Sequence, residues 1–168
     1  NRKEHFEFFS AMEEPFYGVT VEIDVTKAYE KAKELKTSFF IYYLHATLKT
    51  MNELPAFRLR IDNRKVYEHD RIDASSTVMK ANETFGFSHI IYNDDYNVFA
   101  KSVQKEIERV KQTDTLLTKD DYGENIIHFS AVPFINFTSL THARGFSYPD
   151  SCPKVSIGKM VEKEDKKI

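Results

Sequence analysis

The stretch "IIHFSAVPFINFTSLTHA", residues 126–143, is apolar enough for a buried strand and yet carries several hydroxyl groups. Ser130 stands between Phe129 and Ala131, and Pro133 interrupts the apolar run soon afterwards. Periodicity leaves two interpretations of Ser130. Its hydroxyl either bonds to the backbone of a neighbouring strand, or it points into a cleft and donates to a negative oxygen that develops during catalysis. The residues alone favour the first interpretation.

The residues on either side of this stretch carry strand and helix patterns. Strict alternation in "YGVTVEIDVT" predicts a half-buried strand whose core face carries Tyr17 and every second residue to Val25. Apolar residues that recur every three or four positions from Tyr96 to Val110 predict an amphipathic helix. Similar patterns predict helices over 2–9, 27–35 and 39–53, a hairpin around 62–64, strands near 74–80 and 84–92, a strand pair within 126–143 and a last strand in "KVSIGKMVE". Strand-rich runs with segregated helices predict an α+β fold, a sheet with helices on one face.

Length and composition predict a single globular domain over residues 1–168. Hydrophobic residues make up 41% and aromatic residues 14% of the chain, which is enough apolar area to offset the entropy of ordering it. The formal net charge is -2 and both signs are interleaved, so we expect no nucleic-acid partner. Cys152 is the only cysteine, which favours a reducing, cytoplasmic location. No run approaches the roughly 20 apolar residues that span a bilayer, so we expect no membrane association.

Both ends of the sequence suggest that it is an excerpt of a longer protein. It starts at Asn1 without an initiating Met, directly in a helical pattern, and it stops at Ile168 in the charged run "EKEDKKI". We therefore expect a domain that is truncated at both ends.

Common catalytic and metal-binding motifs are missing from the sequence. None of its six histidines pairs with another His or a Cys at metal-ligand spacing, and neither HExxH nor CxxC occurs, so we expect no metal site. GxGxxG, GxxxxGK[ST] and GxSxG are missing too, which leaves dinucleotide-binding, P-loop and hydrolase-elbow chemistry without support. A single histidine is more often a structural, hydrogen-bonding residue than a catalytic one.

Several blocks of the sequence resemble the chloramphenicol acetyltransferase family, in the family's order and at nearly its spacing. The two most specific blocks are "RKEHFEFF" (2–9) and "FSAVPFINFTS" (129–139). The others are "IDVT" (23–26), "FRLRI" (57–61), "ETF" (83–85) and "PKVSIGK" (153–159). The resemblance covers essentially the whole chain. It implies an α+β fold of the CoA-dependent acyltransferase type with a mixed sheet, in a protomer of a homotrimer whose active sites lie at subunit interfaces.

The resemblance implies catalytic roles for three residues. Ser130 stands where the family's serine hydrogen-bonds the oxyanion of the tetrahedral intermediate formed on acetyl-CoA. Ser156 keeps a hydroxyl where the family has a threonine that holds a water near the same oxyanion. Arg2 occupies the position of the family's N-terminal arginine, which pairs with an aspartate beyond the catalytic histidine. Without the resemblance, Arg2 is simply a solvated helix residue.

The family's general base is a histidine in a His-His-x-x-x-Asp-Gly motif near its C-terminus, which removes the proton from the acceptor hydroxyl. Neither this motif nor the aspartate partner of Arg2 is among the given residues. Loss of a general base costs about 10² to 10⁴ in rate. Because both ends of the sequence look trimmed, we expect an incomplete sequence rather than a natural loss.

The resemblance also implies an acceptor pocket, whose residues depart from the family's usual ones. Phe9 occupies a position where the family often has tyrosine, and Phe87 one where it usually has the smaller alanine. Glu13 and His142 occupy positions where leucine is common. These changes alter the volume and polarity of the pocket, which puts chloramphenicol itself in doubt as the acceptor. The expected pocket residues are Phe8, Phe9, Tyr17, Phe85, Phe87 and His142. The expected CoA contacts are Phe134 and Lys159, for which a buried ring and a solvated lysine are equally good interpretations.

Three functions remain open from the sequence. The first is transfer of an acetyl group from acetyl-CoA, as co-substrate, to a hydroxyl of chloramphenicol or another small acceptor, with antibiotic resistance as one role. This reaction needs no metal and no covalent enzyme intermediate. The second is a family relative that binds CoA or a small molecule without catalysis, which the missing histidine and the altered pocket favour. The third is an oligomerisation domain, for which only the aromatic richness speaks.

Overall fold

A four-stranded sheet is the central element of the computed structural model, which describes residues 2–143, 145 and 150–168. The helices are α1 (Lys3–Ser10), α2 (Thr26–Glu34), α3 (Phe39–Glu53), α4 (Pro55–Arg58) and α5 (Tyr96–Lys111). The strands are β1 (Leu59–Asp62), β2 (Lys65–Glu68), β3 (Asp73–Met79), β4 (Phe85–Phe87), β5 (Ile126–Ala131), β6 (Lys154–Ile157), β7 (Glu162–Lys163) and β8 (Lys166–Lys167).

The central sheet is mixed and has the strand order β4-β3-β5-β6. β4 runs antiparallel to β3, whereas β3, β5 and β6 are parallel to one another. The pairs β1-β2 and β7-β8 form separate antiparallel hairpins. Helices combined with a mixed sheet confirm the predicted α+β class.

One face of the central sheet forms the hydrophobic core together with α3 and α5. Ile127 and Phe129 of β5 belong to the same buried cluster as Leu48 of α3 and Phe99 of α5. Because successive side chains of a strand point to opposite faces, Ser130 lies on the other side of the sheet. The helices α3 and α5 therefore pack on one face, as predicted, and the other face carries Ser130.

Local sequence explains where α5 and the β1-β2 hairpin form. The carboxylate of Asp95 caps α5, because it accepts hydrogen bonds from the backbone N–H groups of Asn97 (2.8 Å) and Val98 (3.1 Å). Between β1 and β2, Asn63 and Arg64 have φ angles of 47° and 61°, the left-handed pair that a two-residue hairpin turn needs. Both elements lie where the sequence predicts them.

Arg60 of β1 anchors the start of β5 although it is charged and only 1% exposed. Its Nε donates to Glu124 O at 2.8 Å, and its Nη2 donates to Ile126 O at 2.6 Å. Its Nη1 donates to the carbonyl oxygens of Phe57 and Leu59 at 2.9 and 2.7 Å. These bonds to backbone oxygens compensate for the burial of the guanidinium group.

The predicted strand over residues 17–25 is wrong. None of these residues belongs to a strand, and Tyr17 (92% exposed), Val21 (66%) and Ile23 (61%) face solvent. Alternation gives a segment two different faces, but a strand also needs a partner that accepts and donates its backbone hydrogen bonds. The segment meets the rest of the chain at its end, where Val25 N–H donates to Lys167 O at 2.7 Å.

Residues 132–143, all of them described, contain no strand, so the expected strand pair within 126–143 is wrong as well. The chain turns after β5, and Ile135 N–H donates to Val132 O at 3.1 Å. Pro133 lies in this turn and has no N–H to offer a neighbouring strand. The last predicted strand is shorter than expected, since β6 ends at Ile157 and the chain then continues to the β7-β8 hairpin.

Candidate functional site

Ser130 and Ser156 lie side by side on the sheet face that points away from α3 and α5. Ser130 belongs to β5 and Ser156 to β6, and the parallel register pairs the two residues directly. Paired residues of neighbouring strands present their side chains to the same face. Both serines are half-buried. The structure thus brings together the two hydroxyl groups for which the family resemblance implies catalytic roles.

The hydroxyl of Ser130 makes no hydrogen bond to any residue that the structure describes. Its backbone lies in the ladder of parallel strands. The interpretation in which its side chain bonds to a neighbouring backbone therefore finds no partner among the described residues. A half-buried hydroxyl in this position is available to a bound ligand.

His142 lies in the connection between β5 and β6 and contacts Ser156. Its Nε2 lies 2.8 Å from Ser156 Oγ, a hydrogen bond in which either atom is the donor, depending on the tautomer of the ring. The sequence assigns His142 to the acceptor pocket by resemblance alone. No sequence pattern reports a bond between a loop side chain and a strand side chain, so this contact is new information from the structure.

A row of titratable residues lies next to the two serines on the same face. His128 of β5 and Lys154 of β6 are register partners two residues before the serines, and Asp150 forms an ion pair with Lys154. Burial, followed by the charge of Lys154, lowers the pKa of His128. Burial acts to raise the pKa of Asp150, but the hydrogen bond from Lys154 contributes to a net shift below its ordinary value. A neutral imidazole therefore lies beside an ion pair at neutral pH.

This row of titratable residues was not predicted, although the sequence contains a signal for it. His128 and Ser130 are two residues apart, and so are Lys154 and Ser156. Once the serines are placed on one face, the two-residue period of a strand puts both neighbours on that face.

Phe85 and Phe87 of β4 lie on the same sheet face as the serines, with β3 between β4 and β5. Gly86 separates them and points to the opposite face, where an added Cβ would lie 2.9 Å from Val110 Cγ1 of α5. The two rings meet edge to face with centroids 5.6 Å apart. They form an aromatic surface on β4, on the sheet face that carries Ser130 and Ser156.

The N-terminal candidates are not joined to the serines within this chain. Arg2 is exposed, and its side chain makes no hydrogen bond or ion pair with any described residue. Phe8 and Phe9 of α1 are 64% and 52% exposed, and Tyr17 is exposed as well. Within residues 2–143, 145 and 150–168, no hydrogen bond or ring contact links these four residues to β5 or β6. Their roles stay predictions.

The two expected CoA contacts lie near each other beyond the ends of β5 and β6. Phe134 is in the turn after β5 and is 72% exposed, so the alternative of a buried ring does not hold for it. The neighbouring Ile135 O accepts a hydrogen bond from the backbone N–H of Lys159 at 2.8 Å. Gly158 permits this approach, because an added Cβ would lie 3.2 Å from the same oxygen. An exposed ring and an exposed ammonium group suit a ligand that carries a base and phosphates.

The arrangement at the centre of the site can stabilise negative charge. Two adjacent hydroxyl groups, one of them without a described partner, can donate hydrogen bonds to a single negative oxygen. Among the described residues, no group of three or more His, Cys, Asp and Glu side chains is placed to hold a metal ion. Of the helices in that same part of the chain, none has both the length and the apolar composition that crossing a bilayer requires.

Comparison with known proteins identifies similar sequences and similar solved structures. The family model described as chloramphenicol acetyltransferase matches residues 1–168. A chloramphenicol acetyltransferase of Bacillus pumilus is 26% identical over 168 residues, which cover 99% of this chain and 76% of that protein. One of Klebsiella sp is 28% identical over 141 residues, which cover 83% of this chain and 64% of that protein. A solved structure of a chloramphenicol acetyltransferase matches with a TM-score of 0.89 at 30% identity, and the match covers 99% of this chain and 81% of that chain.

Proposed function

Since the chain belongs to the chloramphenicol acetyltransferase family, we propose that it transfers an acetyl group from acetyl-CoA to a hydroxyl group of a small-molecule acceptor. The acceptor oxygen attacks the thioester carbonyl, and a C–O bond forms. When the tetrahedral intermediate collapses, the C–S bond breaks and CoA leaves as its thiol, which takes up the proton that the acceptor has lost. The proposed reaction uses neither a metal ion nor a covalent enzyme intermediate.

The observation that carries this proposal is the pairing of Ser130 with Ser156. The attack turns the thioester carbonyl oxygen into an oxyanion, and an oxyanion is stabilised by hydrogen-bond donors that are already in place. Ser130 offers a hydroxyl without a described partner, and Ser156 offers a second hydroxyl beside it on the same face. One such donor contributes roughly 3 to 4 kcal/mol to transition-state stabilisation in other enzymes.

We assign proton removal from the acceptor to the histidine of the family's His-His-x-x-x-Asp-Gly motif, which is not among the residues of this sequence. Arg2, by family resemblance, holds the loop that carries this histidine. Among the given residues, the stabilisation of the oxyanion is assigned to Ser130 and Ser156.

Substrate binding is assigned to two regions beside the sheet face that carries Ser130 and Ser156. Acetyl-CoA binds with Phe134 and Lys159, whose exposed ring and ammonium group suit its adenine and phosphate groups. The acceptor binds among Phe85 and Phe87, His142, and the aromatic residues of the N-terminal segment: Phe8, Phe9 and Tyr17. The acceptor includes chloramphenicol-type molecules, and antibiotic resistance is the physiological role that follows if chloramphenicol itself is accepted.

We further propose that residues 1–168 form one domain in a protomer of a cytoplasmic homotrimer. The trimer is supported by the exposed apolar residues of the N-terminal segment, which a neighbouring protomer can cover. An active site at the subunit interface would also explain why Arg2, Phe8, Phe9 and Tyr17 lie apart from the serines of their own chain. The single cysteine favours the cytoplasm.

The proposed function is tested by thiol release from acetyl-CoA, with chloramphenicol and a panel of small alcohols as acceptors. We expect the full-length protein to release CoA only when an acceptor is present. Ser130→Ala should lower kcat about 100-fold because one oxyanion donor is lost. Ser139→Ala, which removes an exposed hydroxyl without a described partner, is the matched control and should keep the wild-type rate. Equal rates for Ser130→Ala and wild type would contradict the role of Ser130.

The second candidate, a CoA-binding protein without catalysis, is favoured by the altered acceptor pocket, where Phe87 and His142 occupy positions at which the family usually has an alanine and a leucine. It predicts that CoA raises the melting temperature although no acceptor causes thiol release. Acetyl transfer to any acceptor contradicts this candidate. If no acceptor causes thiol release and CoA does not raise the melting temperature, only the oligomerisation domain remains of the three functions.

A further inference from the structure

The hydrogen bond between His142 and Ser156 has two possible directions, and they differ in what Ser156 can do. If a neutral Nε2 accepts the Ser156 proton, the hydroxyl has no proton left for a ligand. If Nε2–H donates to Ser156 Oγ, the hydroxyl proton remains available. Both the Nε2–H tautomer and the imidazolium ion support the second arrangement.

Only the second arrangement helps an oxyanion beside Ser130. Ser130 and Ser156 are direct register partners on one face, so their hydroxyl groups border the same space. A hydroxyl hydrogen otherwise rotates to suit whichever acceptor is near. A bond accepted from His142 occupies one lone pair of Ser156 Oγ and restricts the directions left to its proton.

We propose that His142 is a positioning residue. Its Nε2–H donates to Ser156 Oγ and directs the Ser156 hydroxyl proton toward the space that the Ser130 and Ser156 hydroxyl groups both border. The inference rests on the proposed function, because it assigns Ser156 the task of a second, direct donor to the reaction's oxyanion, in place of the water-holding role that the family resemblance implies. His142 does not touch the reacting atoms in this arrangement. It acts through the hydroxyl that it orients.

The expected kinetic effect follows from this indirect role. Loss of an oxyanion donor costs about 10²- to 10³-fold in kcat. His142→Leu keeps the Ser156 hydroxyl but removes the hydrogen bond that orients it. We therefore expect a smaller loss of kcat, about tenfold, with little change in the KM for acetyl-CoA. His142→Gln retains an amide N–H donor and should recover most of the lost rate.

A double-mutant cycle separates positioning from a structural role. In the full-length protein, the effects of His142→Leu and Ser156→Ala on kcat at saturating acceptor should not multiply, because His142 has no hydroxyl to orient in the Ser156→Ala background. The proposed contact of His142 with the acceptor affects the KM for the acceptor instead. The double variant should therefore be no slower than Ser156→Ala alone. Effects that multiply, or a His142→Gln variant as slow as His142→Leu, overturn the inference.

Nitrogen-15 spectra of the histidine rings test the bond without any reliance on activity. We expect His142 to carry its proton on Nε2, and Ser156→Ala but not Ser139→Ala to move the Nε2 resonance. A ring protonated only on Nδ1 overturns the inference while thiol release by the wild type leaves the proposed function intact. Lack of thiol release by the wild type overturns the proposed function, and with it the catalytic meaning of the bond, even when the Nε2 resonance responds as expected.

Discussion

His128 makes the stability of the folded chain depend on pH at the level of a single residue. Burial and the charge of Lys154 lower its pKa in the folded state. As pH falls below the ordinary histidine value of about 6.5, the unfolded chain takes up a proton that the folded chain takes up only at lower pH. Stability is therefore complete above this pH and is lost as the pH falls toward the folded-state pKa.

We expect His128→Asn to reduce this acid loss of stability. Urea unfolding between pH 7 and 5 should show a smaller decrease in the free energy of unfolding than for the wild type, by at most about 1.4 kcal/mol per pH unit for one proton. The exposed His5, replaced by Asn, serves as the control. His89, whose pKa is also lowered by burial and by the charge of Lys119, contributes to the decrease that remains. An unchanged pH profile in the His128 variant contradicts the prediction.

Single residues also mark how far the sequence predicts the site. Ser130 stands out because a hydroxyl interrupts an apolar strand pattern, and family resemblance supplies its role. Its position directly opposite Ser156 depends on the register of two strands that are distant in sequence, which periodicity does not determine. The contact of His142 with Ser156 depends on a loop path and is equally invisible in a one-dimensional pattern.

At the level of elements, the contact of β4 with α5 requires a residue without a side chain. A Cβ on Gly86 would lie 2.9 Å from Val110 Cγ1, 3.0 Å from Lys80 Cε and 3.2 Å from Thr118 Cγ2. We expect Gly86→Ala to lower the free energy of unfolding by about 1 to 3 kcal/mol because the helix must move away from the strand.

Gly18→Ala is the matched control for this prediction, since nothing lies within 4 Å of the added Cβ. It should change stability by less than about 0.5 kcal/mol. Chemical denaturation of both variants measures the difference. A second change, Val110→Ala, should relieve part of the Gly86→Ala penalty, and strictly additive penalties would count against the proposed clash.

The elements that the sequence predicts well are those whose signals are local. α5 combines a helical period with the Asp95 cap, and the β1-β2 hairpin turns at Asn63 and Arg64. The prediction fails over residues 17–25, where alternation is clear but no strand partner exists in the described chain. A pattern of side chains reports which face is apolar, and it does not report what covers that face.

At the level of the whole molecule, the uncovered apolar row of residues 17–23 favours assembly. Tyr17 and Val19 are 92% and 74% exposed, and Val21 and Ile23 continue the row. If a neighbouring protomer covers it, the full-length protein should sediment with three times the mass of one chain. Val21→Asp should shift the protein to smaller species, because a buried charge without a partner is costly.

Thr20→Asp is the control for the assembly prediction, because Thr20 belongs to the opposite face of the alternating pattern and is exposed. It should sediment like the wild type. A wild-type protein that sediments as a single chain at micromolar concentration would contradict the trimer.

The parallel pairing of β3, β5 and β6 sets the order in which the site can appear during folding. Parallel neighbours cannot be joined by a tight turn, so each pairing must close a long loop before it gains any contact. Such pairings form slowly compared with helices and hairpins. The helix α5 and the β1-β2 hairpin can therefore form early, whereas Ser130 and Ser156 meet only when β6 joins β5. If the full-length protein has the proposed acetyl-transfer activity, recovery of that activity during refolding should lag behind recovery of helical structure.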